Sequence, residues 1–144
     1  MSNYQIFFQS TLFNIEHGED EETNPMCFGR QFASWMHEQL LKEGLTVLEV
    51  VPEDWGWCVV VQRKPFLLWI SCVNVHDYFN SSENNPLPIG NEVVWTSTIV
   101  AEQSLISKLF YKQDTESTIK KLFNQVHKII QSDSANTIIT EPRQ

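Results

Sequence analysis

The stretch Trp55-Gly56-Trp57-Cys58-Val59-Val60-Val61-Gln62-Arg63-Lys64-Pro65-Phe66-Leu67-Leu68-Trp69-Ile70-Ser71-Cys72-Val73-Asn74-Val75 decides the fold. Its two runs of branched and aromatic side chains are the residue types that fit a pleated sheet. The turn Arg63-Lys64-Pro65 parts them. So short a connection joins antiparallel neighbours. Runs this apolar predict central strands, either covered on both faces or covered on one and used for binding on the other.

Working upstream, residues 45–51 alternate, with Leu45, Val47, Glu49 and Val51 on one side, and lead through Pro52-Glu53-Asp54 into the first apolar run. Residues 4–13 read as a further strand. Between these two segments, Thr23-Asn24-Pro25 offers a helix start, with a cap and a proline at the first helical position. Phe28, Phe32, Trp35, Met36 and Leu40 then form one helical stripe, and Gly44 supplies a C-terminal cap. Working downstream, residues 76–91 are rich in Asn, Ser and Pro and predict a long loop carrying Tyr78 and Phe79. Residues 92–100 read as the last strand and 104–111 as a short helix. A second long helix is predicted from Glu116 to Gln131, capped by Asp114 or Thr115. Its apolar stripe is Ile119, Leu122, Phe123, Val126, Ile129 and Ile130, and Lys120, Lys121 and Lys128 face water. Strands in a block rather than alternating with helices give an α+β class. The expectation is an antiparallel sheet of about five strands with two main helices packed on one face. A single domain is expected over 1–131, with 132–144 a flexible tail.

The 18 acidic residues outweigh 10 basic ones, for a formal net charge of −8. That balance argues against nucleic acid, whose phosphates need Lys and Arg, and against an anionic membrane surface. It favours a basic protein partner. The three cysteines, Cys27, Cys58 and Cys72, are odd in number and widely spaced. They read as reduced thiols of a cytoplasmic protein rather than a disulfide framework or a zinc knuckle. The N-terminal residues lack a basic start and an apolar run, and no apolar stretch nears the length of a membrane span.

No catalytic motif is found. There is no GxSxG elbow and no phosphate-binding glycine loop, and His17, His37, His76 and His127 are dispersed without metal-ligand spacing. Cys27, placed by this reading in the first turn of a helix, is the best reactive thiol, because the helix dipole lowers a thiol pKa there. No catalytic residue, metal ligand or cofactor is assigned. Two segments remain. The acidic run containing Glu19, Asp20, Glu21 and Glu22 predicts an exposed, self-repelling loop that would steer a basic partner. Glu53-Asp54-Trp55-Gly56-Trp57 places two acids and two tryptophans at a hairpin, with a glycine that permits close backbone approach.

The segments Glu22-Thr23-Asn24-Pro25, Trp35 and Pro52-Glu53-Asp54-Trp55-Gly56-Trp57 resemble those of small uncharacterised bacterial proteins, over roughly residues 22–75. By size and charge such proteins include immunity proteins and inhibitors, but the resemblance transfers no site. The expected function is a non-enzymatic protein-binding module of this immunity or inhibitor kind. Its expected contacts are Glu19, Asp20, Glu21, Glu22, Glu53, Asp54, Trp55, Trp57, Tyr78 and Phe79. The alternative is a small-ligand domain with an aromatic pocket between helix and sheet, lined by Trp35, Trp57 and Trp69. A third reading, a thiol- or metal-dependent enzyme, rests on Cys27 or the histidines, and a homodimer through an exposed sheet face is compatible with all three.

Overall fold

The computed structural model describes residues 4–75, 90–110 and 112–142. Six strands, β1 (Gln5–Ser10), β2 (Val50–Glu53), β3 (Gly56–Gln62), β4 (Leu67–Asn74), β5 (Trp95–Glu102) and β6 (Asn136–Ile139), form one sheet in the order β2-β3-β4-β5-β1-β6. Every neighbouring pair is antiparallel. The class is α+β, as the block of strands implies. The two apolar runs are the adjacent strands β3 and β4, with Trp57 opposite Cys72 and Val60 opposite Trp69.

Among the described residues three α-helices accompany the sheet: α1 (Arg30–Lys42), the short α2 (Leu105–Phe110) and α3 (Thr115–Ser132). One face of the sheet carries Ile6, Phe8, Trp57, Val59, Leu68, Ile70, Cys72, Trp95 and Ile99, and these pack on Phe32, Met36 and Leu40 of α1 and on Leu122, Val126 and Ile130 of α3. Both long helices therefore lie on this face. Its centre is aromatic. Phe32 meets Phe8 edge-on at 5.1 Å and stacks with Phe13 at 5.4 Å, while Trp95 closes on both Phe13 and Phe32. Such edge and offset pairs add about 0.5–1.5 kcal/mol each beyond the area they bury.

The helix ends follow local chemistry. The Asp114 carboxylate caps α3 by accepting from the Ser117 backbone N–H and hydroxyl. At the end of α1, Gly44 is left-handed (φ 84°), its N–H reaches Leu41 O, and Leu45 N reaches Leu40 O. That pair of bonds is a Schellman turn, and it aims Leu45 back at the helix.

Three expectations need correction. α1 begins at Arg30, five residues after Pro25, because Met26 takes a left-handed φ of 71° and no helix can run through it. Residues 45–49 are a connection leading to the short β2, joined to β3 through Leu48 N to Val60 O and Val60 N to Glu49 O. Part of the expected tail is β6, which pairs with β1 and makes the sixth strand, with Ile138 opposite Phe8. A domain ending at residue 131 would have lost that strand.

Candidate functional site

The acidic segment is not the free, mobile loop that its composition suggests. Glu19, Asp20 and Glu21 form a 3-10 turn, and repulsion along the run is relieved because Glu19, Asp20 and Glu22 each engage a different group. Glu19 is 2% exposed. Its Oε1 accepts from Gly29 N at 2.5 Å and Arg30 N at 3.0 Å, and its Oε2 accepts from Glu16 N at 2.8 Å. It is thus a cap for α1 delivered from ten residues upstream, where the positive end of the helix dipole favours a carboxylate. Asp20 Oδ2 accepts from Met26 N at 2.9 Å and holds the left-handed residue in place. Glu22 and Glu16 both pair with Arg30, whose guanidinium also lies 4.7 Å above the Trp57 ring. Of the four proposed contacts here, Glu19 is buried and unavailable, Asp20 and Glu22 are committed within the fold, and Glu21 alone is exposed with no bond of its carboxylate among the described residues.

The same corner is clasped from the sheet side by Asn74, which sequence reading passed over. Asn74 is 6% exposed; its Oδ1 accepts from Phe28 N at 2.8 Å and its amide donates to Met26 O at 3.1 Å. Gly29 lies so close to β4 that a Cβ there would sit 2.4 Å from Cys72 O. The signal lay in the sequence as a polar Asn ending an apolar strand, but only its partners give it meaning.

The Glu53–Trp57 segment divides across the sheet. β2 and β3 join through a two-residue turn at Asp54-Trp55. Trp57 points into the core, 4% exposed, and is withdrawn as a contact residue. Trp55 stays at the surface, partly exposed, and stacks on Trp69 of β4 with ring centroids 5.2 Å apart. Gly56 between them has φ 149°, and a Cβ there would collide with the Val73 side chain at 2.6 Å. The glycine is needed so that β4 can close up beneath Trp55. Glu53 and Asp54 are exposed beside this turn, and the Asp54 carbonyl accepts from the Asn24 amide.

Trp55 and Trp69 belong to the second face of the sheet, over which no helix packs among the described residues. Register places Val51, Cys58, Val60, Trp69, Ser71, Val73, Thr96, Thr98, Val100 and Phe7 on it. A shallow groove of about 380 Å³ crosses β4, β5 and β1, from Trp55 at one end to Glu141 and Pro142 at the other. Its polar floor is satisfied internally: Gln5 Nε2 donates to Thr96 Oγ1, and Ser71 Oγ accepts from Thr98 N. Burial, then Glu53, then Glu102 push the Cys58 thiol up to about 12, with Arg63 opposing.

The remaining chemistry is sparse. Burial raises the Cys72 thiol well above its usual value. Cys27 is fully buried in the turn before α1 rather than in the first turn of a helix, so the dipole argument for its reactivity fails. Among the described residues no group of three or more His, Cys, Asp or Glu is placed to hold a metal ion, and no helix is long and apolar enough to cross a membrane. The three tryptophans expected to line one pocket do not converge. Trp57 is in the core, Trp69 is on the opposite face, and Trp35 packs edge-on to Phe13 beside a cleft between α1 and α3. Tyr78 and Phe79 lie outside the described residues. Comparison with protein-family models, with curated proteins and with solved structures finds no match.

Proposed function

We propose that the protein is a non-enzymatic binding module that engages a basic protein partner through the helix-free face of its sheet, in the manner of an immunity protein or inhibitor. The observation that carries this reading is the partly exposed Trp55–Trp69 stack on a face with no helix over it among the described residues. Stacked indoles offer a large, rigid apolar surface at little further entropic loss, the character of an interface hot spot. Glu53 and Asp54 directly precede Trp55, Glu102 lies two residues beyond Val100, the partner of Trp69 on β5, and the chain carries a net charge of −8. A basic partner would be steered to this face and then held by the aromatic pair. Occlusion by a rigid sheet needs no chemistry from the module itself.

The test is capture from the native host with wild-type bait, Trp55→Ala/Trp69→Ala bait and Glu21→Ala bait, each eluted by a salt gradient. One basic protein retained stoichiometrically by wild type and Glu21→Ala, released by salt and lost with the tryptophan variant, is the expected result. A partner held equally by all three baits would remove the sheet face from the proposal. Self-association lost with the same tryptophans would assign the face to a homodimer instead.

A further inference from the structure

On the helix side, away from the Glu19 corner, lies the C-terminal end of α1. The Schellman turn at Gly44 ends α1 and turns Leu45 back toward it, and Thr118, Lys121, Leu122 and Gln125 of α3 face the connection that follows. Between them lies a cavity of about 420 Å³. Its size falls within the range of small-molecule sites, roughly 300–1,000 Å³. The floor is Val61, Leu68 and Leu122, all buried core residues, and the wall is Leu45 and the 44%-exposed Leu48.

The absence of carboxylates from its lining sets this cavity apart from the other clefts among the described residues. Its lining contains Arg63 and Lys121 and no carboxylate. The cleft beside Trp35 includes Glu43 and Asp133, and the groove on the helix-free face includes Glu141. Arg63 is taken by its ion pair with Glu49. Lys121 makes no ion pair among the described residues, and Gln125, one turn further along α3, lies beside it at the cavity rim. An apolar floor beneath one uncommitted ammonium is complementary to a molecule with an apolar tail and a single anionic head.

We propose that this cavity binds an amphipathic monocarboxylate, with the tail on Val61, Leu68 and Leu122 and the carboxylate at Lys121. The site is on the opposite side of the sheet from Trp55 and Trp69, so it stands or falls independently of the partner-binding face.

The probe is decanoate, with decanol as its uncharged counterpart, titrated into the ¹⁵N-labelled full chain and followed by amide shifts. Decanoate shifts the amides of Leu45, Leu48, Lys121 and Gln125 saturably, and decanol binds at least about fivefold more weakly, the scale of one exposed charge contact. Lys121→Glu weakens decanoate by about tenfold, since repulsion replaces attraction. Lys128→Glu, the same charge change on α3 outside the cavity, leaves it unaltered. Equal affinities for decanoate and decanol, equal effects of the two lysine variants, or shifts confined to the Trp55–Trp69 face would each overturn the assignment.

Discussion

Replacing Glu19 separates a structural carboxylate from a recognition one. Glu19→Ala deletes an acceptor that satisfies three backbone N–H groups, those of Glu16, Gly29 and Arg30. Hydrogen bonds to a charged group each contribute about 1.5–3 kcal/mol, but bonds to one carboxylate are not additive, and Glu16 and Arg30 can recover water in part. Gly29 is buried and cannot. The expected loss is about 3–5 kcal/mol, a large share of the roughly 5–15 kcal/mol typical of a domain. With a urea m-value of about 2 kcal/mol/M, the midpoint falls by roughly 2 M. Glu19→Gln keeps one oxygen for Gly29 and Arg30 but turns an amide toward the Glu16 N–H, and loses about half as much. Glu21→Ala, exposed two residues away, stays within about 0.5 kcal/mol. The assay is urea unfolding followed by tryptophan fluorescence and far-ultraviolet circular dichroism. A loss below about 1 kcal/mol for Glu19→Ala, indistinguishable from Glu21→Ala, would refute the capping argument and return Glu19 to the pool of surface acids.

Gly29→Ala places a Cβ 2.4 Å from Cys72 O at a φ of 147°, and thermal unfolding should show about 3 kcal/mol or more lost, since the Cβ has no torsional freedom and the atom it meets is a backbone carbonyl oxygen. Phe32→Ala opens the aromatic centre, and chemical denaturation should register about 3–5 kcal/mol. The Cys58 thiol is raised from 9.0 to about 12, so its contribution to stability is complete below pH 9 and is lost as pH rises from 9 toward 12; unfolding curves across that window should show the loss, reduced in Cys58→Ser. Native Cys58 should also resist a disulfide reagent at about pH 8 and react only at the rate of opening. Asp114, held below its usual value by the Ser117 hydroxyl and N–H, acts in the other direction: its cap is present above pH 3.8 and is lost as acid protonates it, and Asp114→Ser, which can still cap, should unfold at a higher temperature than Asp114→Ala.

Local signals sufficed wherever one residue type has one job. The runs on either side of Arg63-Lys64-Pro65 had to be adjacent antiparallel strands, because two apolar runs and a short turn leave little else. Gly44 had to end a helix, since it alone pays no steric penalty for the left-handed turn. Asp114 could be read as a cap from its place before a helical stripe. The Glu53–Trp57 hairpin was legible as a feature, but not its division into one core and one surface tryptophan.

What tertiary structure alone decided was the meaning of charge and of faces. A run of four acids reads as repulsive and exposed, because sequence shows neighbours along the chain and not the donors that fold against them. Gly29 and Arg30 turn Glu19 into a buried cap, Met26 claims Asp20, and Arg30 claims Glu22. Asn136-Thr137-Ile138-Ile139 is too short to announce a strand and becomes one because β1 offers it an unpaired edge. Trp55 and Trp69 stand fourteen positions apart and meet only because antiparallel pairing brings β3 and β4 together with Gly56 cleared between them. Sequence by itself determined β1, β3, β4 and β5 and the bodies of the two long helices, whose runs are long enough for local sterics and periodicity to mark them. Which carboxylates are satisfied, and which aromatics are left facing outward, was decided by contacts between residues far apart in the chain.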